Sequence, residues 1–411
     1  MNYTLIKKNA LYTICCFFTI IQLAFAQSTI EGKVLDAGTK QPIPGASVYF
    51  NNTQIGEATN NNGAFKISAK RLYNDLVVSA VGYQTKVINI ESNIKSYTIL
   101  LCEKANSLLE VTVNAGKNNW ERWGSFFSGL LFGSDPRYKL YCKILNPEDI
   151  RFFYNENEHY LEATASKPIL IWNSIMNCQL HIDLYQFVYY SFNNDNILYS
   201  TLAYYDEFDN KPNKKRKMAQ TINYLGSQMH FYRSLYTRSL EVENFQVYRY
   251  TSVKNLEREK VLKTVQQYKA SKMAAGETLS KLADNPDSAR YYERILKQRD
   301  ILKWDTTRVD YKQFLTFDPV EDKMRFKFSD TLMVVYKRDE KMLEKLAQSS
   351  LAYKFGQPSV FTLKTLLFLN NKEGVVVDPA GFVTSNDLVM TGNMGNRRLA
   401  EQLPYDFVYS P

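Results

Sequence analysis

Histidine is scarce in this sequence, with three residues in 411: His159, His181 and His230. Every Ser-His-Asp or Cys-His centre, and every histidine-bound zinc, must draw on these three. There is no His-Glu-x-x-His, no Gly-x-Ser-x-Gly elbow, no Gly-rich phosphate loop and no Cys-x-x-Cys. Their absence removes the signatures of zincins, serine hydrolases, P-loop enzymes and thiol redox proteins. Cysteine is nearly as sparse: of five, Cys15 and Cys16 fall in the N-terminal apolar run, leaving Cys102, Cys142 and Cys178. An odd number excludes a fully paired disulfide framework. A Cys142–Cys178 bridge and a pair of buried free thiols both fit, the free thiols being the plainer reading. No apolar run reaches the ~20 residues of a spanning helix, and the repeated ~10-residue alternation of a transmembrane barrel is missing over most of the chain.

Aromatic residues are abundant instead, at 14% with 29 Tyr, which suits a large core and many half-buried strand positions. The formal charge of +9 is spread too thinly to specify a partner. Met1–Ala26 reads as a secretory signal peptide: Lys7 and Lys8, then the apolar core Leu11–Leu23, then Ala24-Phe25-Ala26 as a cleavage site before Gln27. Cys15-Cys16 lack the small residues that precede a lipidation site. These features predict an exported protein, periplasmic or outer-membrane-associated, with no transmembrane segment in the mature chain and no nucleic acid among its partners.

From Ile30 to Leu101, short runs rich in Val, Ile, Tyr and Phe alternate with turn residues: Ile30–Leu35, Ala46–Phe50, Ala64–Ile67, Leu76–Ala80, Lys86–Ile90 and Tyr97–Leu101. Such spacing without a helical period predicts an antiparallel β-sandwich. Pro42 and Pro44 before Gly45 fix an extended entry into a strand. Asn60-Asn61-Asn62-Gly63 supplies the positive φ that a tight hairpin turn demands. The order Gly32-x-Val34, Pro44-Gly45-Ala46-x-Val48, Asn62-Gly63-x-Phe65, Gly82-Tyr83 resembles the carboxypeptidase-regulatory-like domain. That resemblance implies a seven-stranded, transthyretin-like sandwich of the kind found in Gram-negative envelope proteins, including the N-termini of TonB-dependent receptors. Thr59-Asn60 stands where the family often has Thr-Asp, which weakens a metal-binding reading of the turn.

The fold class expected is multidomain: signal peptide 1–26, all-β sandwich 27–101, linker 102–118, and a mixed α+β region 119–411 with antiparallel strands and a helical hairpin. Trp120–Leu131 is amphipathic. Strands are read over Tyr141–Leu145, His159–Ala165, Ile169–Trp172 and Cys178–Tyr190, with Ile197–Tyr205 returning antiparallel beside the last. Helices are placed near 227–240, 255–283 and 287–302, broken at Asn285-Pro286. Later strands are read at Met324–Phe328 and Leu332–Tyr336. Ser359–Leu369 and Val375–Val377 are read as a pair joined by a turn at Gly374, and a short helix precedes Pro404. The runs Cys142–Glu148, Lys167–Asn173 and Gly226–Phe231 resemble a group of envelope proteins with the same N-terminal domain. This resemblance implies the architecture only.

His159-Tyr160-Leu161-Glu162 is the sharpest metal candidate, because zinc carboxypeptidases pair His-x-x-Glu with a distant His. In a strand over His159–Ala165, residues three apart face opposite sides, and only His181 or His230 could be a third ligand. No metal site or cofactor is assigned. His181 beside Asp183 is the one local acid–His pair, read as an exposed polar strand face, and no catalytic residue is assigned. The run Lys211-Pro212-Asn213-Lys214-Lys215-Arg216-Lys217 fits a phosphate dock or, more plainly, a solvated loop. The function expected is that of a non-enzymatic envelope protein: the sandwich is an interaction or glycan-binding module, the rest a scaffold, and the partner an envelope protein or glycan. The alternative is an envelope hydrolase acting on glycan or peptide, since two carboxylates leave no spacing rule in sequence. A cluster of exposed aromatics on one sandwich face would favour glycan binding; a deep pocket with two facing carboxylates, or His159 near another His, would favour hydrolysis.

Overall fold

The computed structural model describes residues 28–71, 73–91, 94–104, 118–133, 141–190, 196–207, 214–274, 286–298, 301–319, 322–339, 344, 362–383 and 387–410. The signal segment, most of the linker and the helix break before Pro286 lie outside them. The chain divides into two compact units, one of Met1–Tyr224 with Arg397–Pro411, the other of Leu225–Asn396. Among the described residues, no helix is long and apolar enough to cross a membrane.

In the first unit, β1 (Ser28–Asp36), β2 (Ser47–Phe50), β3 (Gly56–Ala58), β4 (Ala64–Ala69), β5 (Asp75–Ser79), β6 (Lys86–Asn89) and β7 (Ser96–Leu101) form two sheets, ordered β4-β1-β7 and β3-β2-β5-β6. Period-two alternation buries Ile30, Val34, Phe65, Ile67, Ile99 and Leu101 from the first sheet and Val48, Phe50, Leu76 and Val78 from the second. Each such side chain contributes about 1.5–3 kcal/mol by burial. The sandwich is not wholly antiparallel: β1 and β7 run parallel, which is open to them because the intervening strands supply the crossover. The Asn60–Gly63 turn has Gly63 at φ 67°, with the Asn60 side chain accepting from the N–H groups of Asn62 and Ala64. It joins strands of different sheets, however, and closes no hairpin.

A third sheet shares this unit: β8 (Cys142–Ile144), β9 (Ile150–Asn155), β10 (Tyr160–Ala165), β11 (Ile169–Asn173), β12 (Cys178–Tyr190) and β13 (Asn196–Glu207). Its order is β8-β11-β12-β10-β9, with β13 on β12. Helix Trp120–Phe132 packs Phe127 against Phe152 and Phe187 on one face, ring centroids 5.4 and 4.7 Å apart. Asn146 and Asn173, both within the runs that resemble other envelope proteins, are structural ties. Asn146 donates to Asp149 and Pro168 and accepts from Leu170 N–H; Asn173 donates to the Ala400 carbonyl. Cys142 and Cys178 lie opposite Asn173 from its two sides, two strand spacings or about 9.6 Å apart, beyond the ~7 Å Cα limit of a disulfide. Both are free and buried while Cys102 is free and exposed, and burial pushes both buried thiols up to about 12. Alkylation of the native protein should therefore label Cys102 alone, and denaturation should release all three thiols. A native mass two hydrogens light would contradict this.

Two further expectations are corrected here. The basic loop is helical from Lys214, within helix Lys214–Tyr224, and Arg216 is buried against Glu207; residues 211–213 lie outside the described set. The segment Arg397–Pro411 contains no described helix. Glu401 and Gln402 N–H both reach Arg398 O, a single turn, but the flanking Ala400 and Tyr405 N–H groups are taken by Phe132 O and Asn52 O, so the turn is not continued into a helix.

The second unit holds β14 (Phe245–Val253), β15 (Ile301–Arg308), β16 (Leu315–Asp318), β17 (Lys323–Phe326), β18 (Thr331–Lys337), β19 (Thr362–Leu369), β20 (Val375–Val377) and β21 (Leu388–Gly392). The sheets are β15-β14-β18-β19-β21 and β16-β17-β20, so β19 and β20 do not pair as the Gly374 turn suggests. Helix Gln228–Tyr236 starts at the Ser227 cap and lays Phe231 and Leu235 into a core with Phe245, Phe326 and Leu367. Helices Leu256–Ala274 and Pro286–Leu296 meet through Val261, Val265 and Ile295. The last helix ends short of residue 302 because Ile301 already begins β15, whose hydrogen bonds go to β14.

Candidate functional site

β12 and β13 form a long antiparallel hairpin in which Gln179 faces Asp206, His181 faces Tyr204 and Asp183 faces Leu202. Strand alternation places all six on one side of the sheet. That side is not the exposed polar face expected of His181 and Asp183, because the outer face of the four-stranded sandwich sheet covers it. Tyr49 stands outward on β2 and donates its hydroxyl to Asp183 Oδ2 at 3.3 Å, and its ring packs 5.3 Å from that of Tyr204. Gly56 permits the approach: a Cβ there would lie 2.9 Å from Tyr204 Cε2 and 2.7 Å from Tyr49 Cβ.

The turn after β2 fixes the two layers together. Asn52 N–H donates to Ala203 O and Tyr205 N–H to Thr53 O, and the Asn51 side chain accepts from Ala203 N–H. Gln54 Nε2 donates to Glu207 Oε1 at 2.8 Å, and its backbone N–H donates to Asp406 Oδ1 at 3.0 Å. Backbone pairing to a strand edge is directional, so the sandwich is held in one register.

Between the layers lies an open cleft of about 350 Å³, lined by Ser47, Tyr49, Glu57 and Ser79 from the sandwich and His181, Asp183, Tyr204 and Asp206 from the sheet. Its size is at the lower end for small-ligand sites. Burial raises the Asp183 carboxyl from its ordinary value, partly offset by the Tyr49 hydroxyl. Burial also lowers His181 below 6.5, against the pull of Asp206 and Asp183. His181 is therefore neutral at pH 7, its Nε2 3.1 Å from Gln179 Nε2; with that amide donating, the ring proton sits on Nδ1. The cleft thus offers carboxylate acceptors, hydroxyls that both donate and accept, and ring faces.

A pH effect follows. The folded chain binds the His181 proton less tightly than the unfolded chain, so this contribution to stability is complete above the unfolded value near 6.5 and is lost as pH falls from there through the lower folded value. Asp183, raised in the fold, has the opposite sign: it favours folding while protonated and loses that as pH rises through its folded value. The readout is therefore the difference between variants. From pH 7 to pH 5 the urea midpoint of His181→Gln should fall less than that of the parent; an equal fall would refute the assignment.

None of the other sequence candidates lines this cleft. His159 is not in a strand: it closes the turn before β10 with φ 50°, and its Nδ1 lies 3.4 Å from Tyr154 Oη. Glu162 pairs with Phe153 and Val188 within the sheet. His230 is buried in the second unit, where Nδ1 accepts from Gly226 N–H and Nε2 donates to Glu243, each at 3.1 Å; it is an architectural residue. Among the described residues no group of three or more His, Cys, Asp or Glu is placed to hold a metal ion. Tyr49, Tyr204 and Asp206 escape the sequence reading, although an antiparallel return of Ile197–Tyr205 already contains the signal for Tyr204.

Residues 30–113 match the family profile of the CarboxypepD_reg-like domain, so the sandwich wall of the cleft belongs to that domain type. No curated protein matches the chain. Solved structures give faint likenesses. A DUF3823 family protein from Bacteroides ovatus is 12% identical, over 45% of this chain and 83% of that one, with a TM-score of 0.15. A 9R-lipoxygenase from Cyanothece is 11% identical, over 52% and 49%, with a TM-score of 0.16. A Bacteroides fragilis protein described as membrane-associated and of unknown function is 10% identical, over 89% and 98%, with a TM-score of 0.16. At such scores none of the three carries an argument about this chain.

Proposed function

We propose that this protein is exported to the cell envelope and works there by binding, its CarboxypepD_reg-like sandwich forming one wall of a glycan-binding cleft. The carrying observation is the composition of that cleft. Two tyrosine rings and an imidazole stand beside three carboxylates and two serine hydroxyls, the mixture that a sugar's apolar ring face and hydroxyl rim call for. The second unit acts as scaffold. Export rests on the signal segment Met1–Ala26, and mass spectrometry of envelope fractions should find a mature terminus at Gln27.

Hydrolysis is the weaker reading. Asp206 faces Gln179, four positions before Asp183 on β12, which puts the Cα atoms of the two acids about 14 Å apart. Glycosidase carboxyls stand ~5–9.5 Å apart, and Asp183 is already engaged by Tyr49. Calorimetry with the disaccharide of N-acetylglucosamine tests the proposal. Asp206→Asn and Tyr204→Ala should each weaken binding about tenfold, the loss expected of one charge-assisted hydrogen bond or one aromatic contact. Release of monosaccharide during prolonged incubation would favour the hydrolase; no heat of binding would remove the glycan reading.

A further inference from the structure

The side of the third sheet that forms the cleft continues well past it. β13 is unbroken, so Asp206, Tyr204, Leu202, Ser200 and Leu198 share one side. β12 slips register by one residue between Leu184 and Gln186, and the extra residue brings Gln186 opposite Ser200 and Val188 opposite Leu198. Without that bulge the distal half of β12 would present its other set of side chains. β10 adds Tyr160 beside Tyr190 and Glu162 beside Val188, and β9 adds Phe153 beside Glu162. The rings of Phe153, Tyr160 and Tyr190 therefore stand in a row across three strands, with centroids 6.1 and 5.9 Å apart. Beyond the cleft Tyr185, Tyr190 and Leu198 are 54%, 41% and 53% exposed.

We infer that this open face is a second binding surface, continuous with the cleft, which takes the extension of a linear glycan. The inference rests on the glycan reading of the cleft. Length is the first argument: from His181 to Tyr190 the strand runs about 30 Å, more than a single small ligand can follow. Composition is the second. Glu162 is half-buried and Gln186 and Ser200 are exposed among the rings, so the face is not the unbroken apolar patch that marks a lipid or protein docking site. A contiguous row of rings bordered by Glu162, Gln186 and Ser200 instead matches the chemistry of a sugar chain, apolar on the ring faces and polar at the rim.

The test uses the full chain and oligomers of N-acetylglucosamine of increasing length, measured by calorimetry. The six-unit oligomer should bind about tenfold more tightly than the two-unit one, as two added aromatic contacts allow. Tyr160→Ala combined with Tyr190→Ala should abolish that gain and leave two-unit binding unchanged, while Tyr190→Trp should retain it. Unfolding midpoints of both variants equal to the parent's would show the fold intact. Affinity independent of length, or a length gain that survives the double substitution, would overturn the track and leave the cleft standing. Absence of binding by both oligomers would overturn the two together.

Discussion

Arg216→Met should destabilise the first unit by about 3–5 kcal/mol, the usual consequence of removing one partner from a buried ion pair. The Arg216 guanidinium is buried against Glu207, and Glu207 also accepts from Gln54 Nε2 at 2.8 Å. Without the arginine, a carboxylate would remain next to the buried Cys178 thiol, which Glu207 already pushes up and Arg216 pulls down. Three of the four tryptophans, Trp120, Trp123 and Trp172, lie in this unit, so the urea midpoint followed by fluorescence reports mainly on it. Adding Glu207→Gln to Arg216→Met should recover at least half of the loss, because the stranded charge is then gone. A loss below about 1 kcal/mol in the single variant would place the pair among solvent-screened surface bridges.

Gly32→Val should be the other severe change, costing about 3 kcal/mol or more through overpacking. Gly32 is in the middle of β1, opposite Phe65 on one side and Tyr97 on the other. A Cβ there would fall on the Tyr97 carbonyl oxygen and lie 2.9 Å from two atoms of the Phe65 ring. A ring can rotate aside, but a backbone oxygen in a ladder cannot. Gly38→Ala makes the control: its nearest neighbour would be Asp36 Oδ1 at 3.4 Å, an ordinary contact, and stability should change by less than about 0.5 kcal/mol. If the two variants unfold alike, the close approach of β7 to β1 is wrong.

The sandwich was legible because its signals are local. Alternation in runs such as Ala64–Ile67 reports which face is buried, and Asn60–Gly63 reports a positive φ, without knowledge of any partner. What could not be read there was pairing: β7 lies parallel to β1, and the Asn60–Gly63 turn changes sheets, because both depend on residues tens of positions away. Lys211–Lys217 failed for a different reason. Four cations in the first turn of a helix oppose its dipole, so the sequence favours a loop; the distant Glu207, paired with Arg216, offsets part of that repulsion. His159 was misplaced by a single residue at a strand boundary, the least determined feature of any sequence reading.

The candidate site divides along the same line. The sequence by itself determined the alternation of β12, and with it that His181 and Asp183 share a face; it also determined the module type through Gly32, Pro44-Gly45 and Asn62-Gly63. The tertiary structure alone decided that this face is covered. Alternation says that a strand has two faces but not what lies on each, and Tyr49 reaches Asp183 across 134 residues of sequence. The register slip at Leu184–Gln186 is equally silent in sequence, since a bulge shows only when an unbroken partner strand measures it. Burial by a distant layer then sets the chemistry, raising Asp183 and lowering His181, because the cost of charge depends on the surroundings that folding brings together.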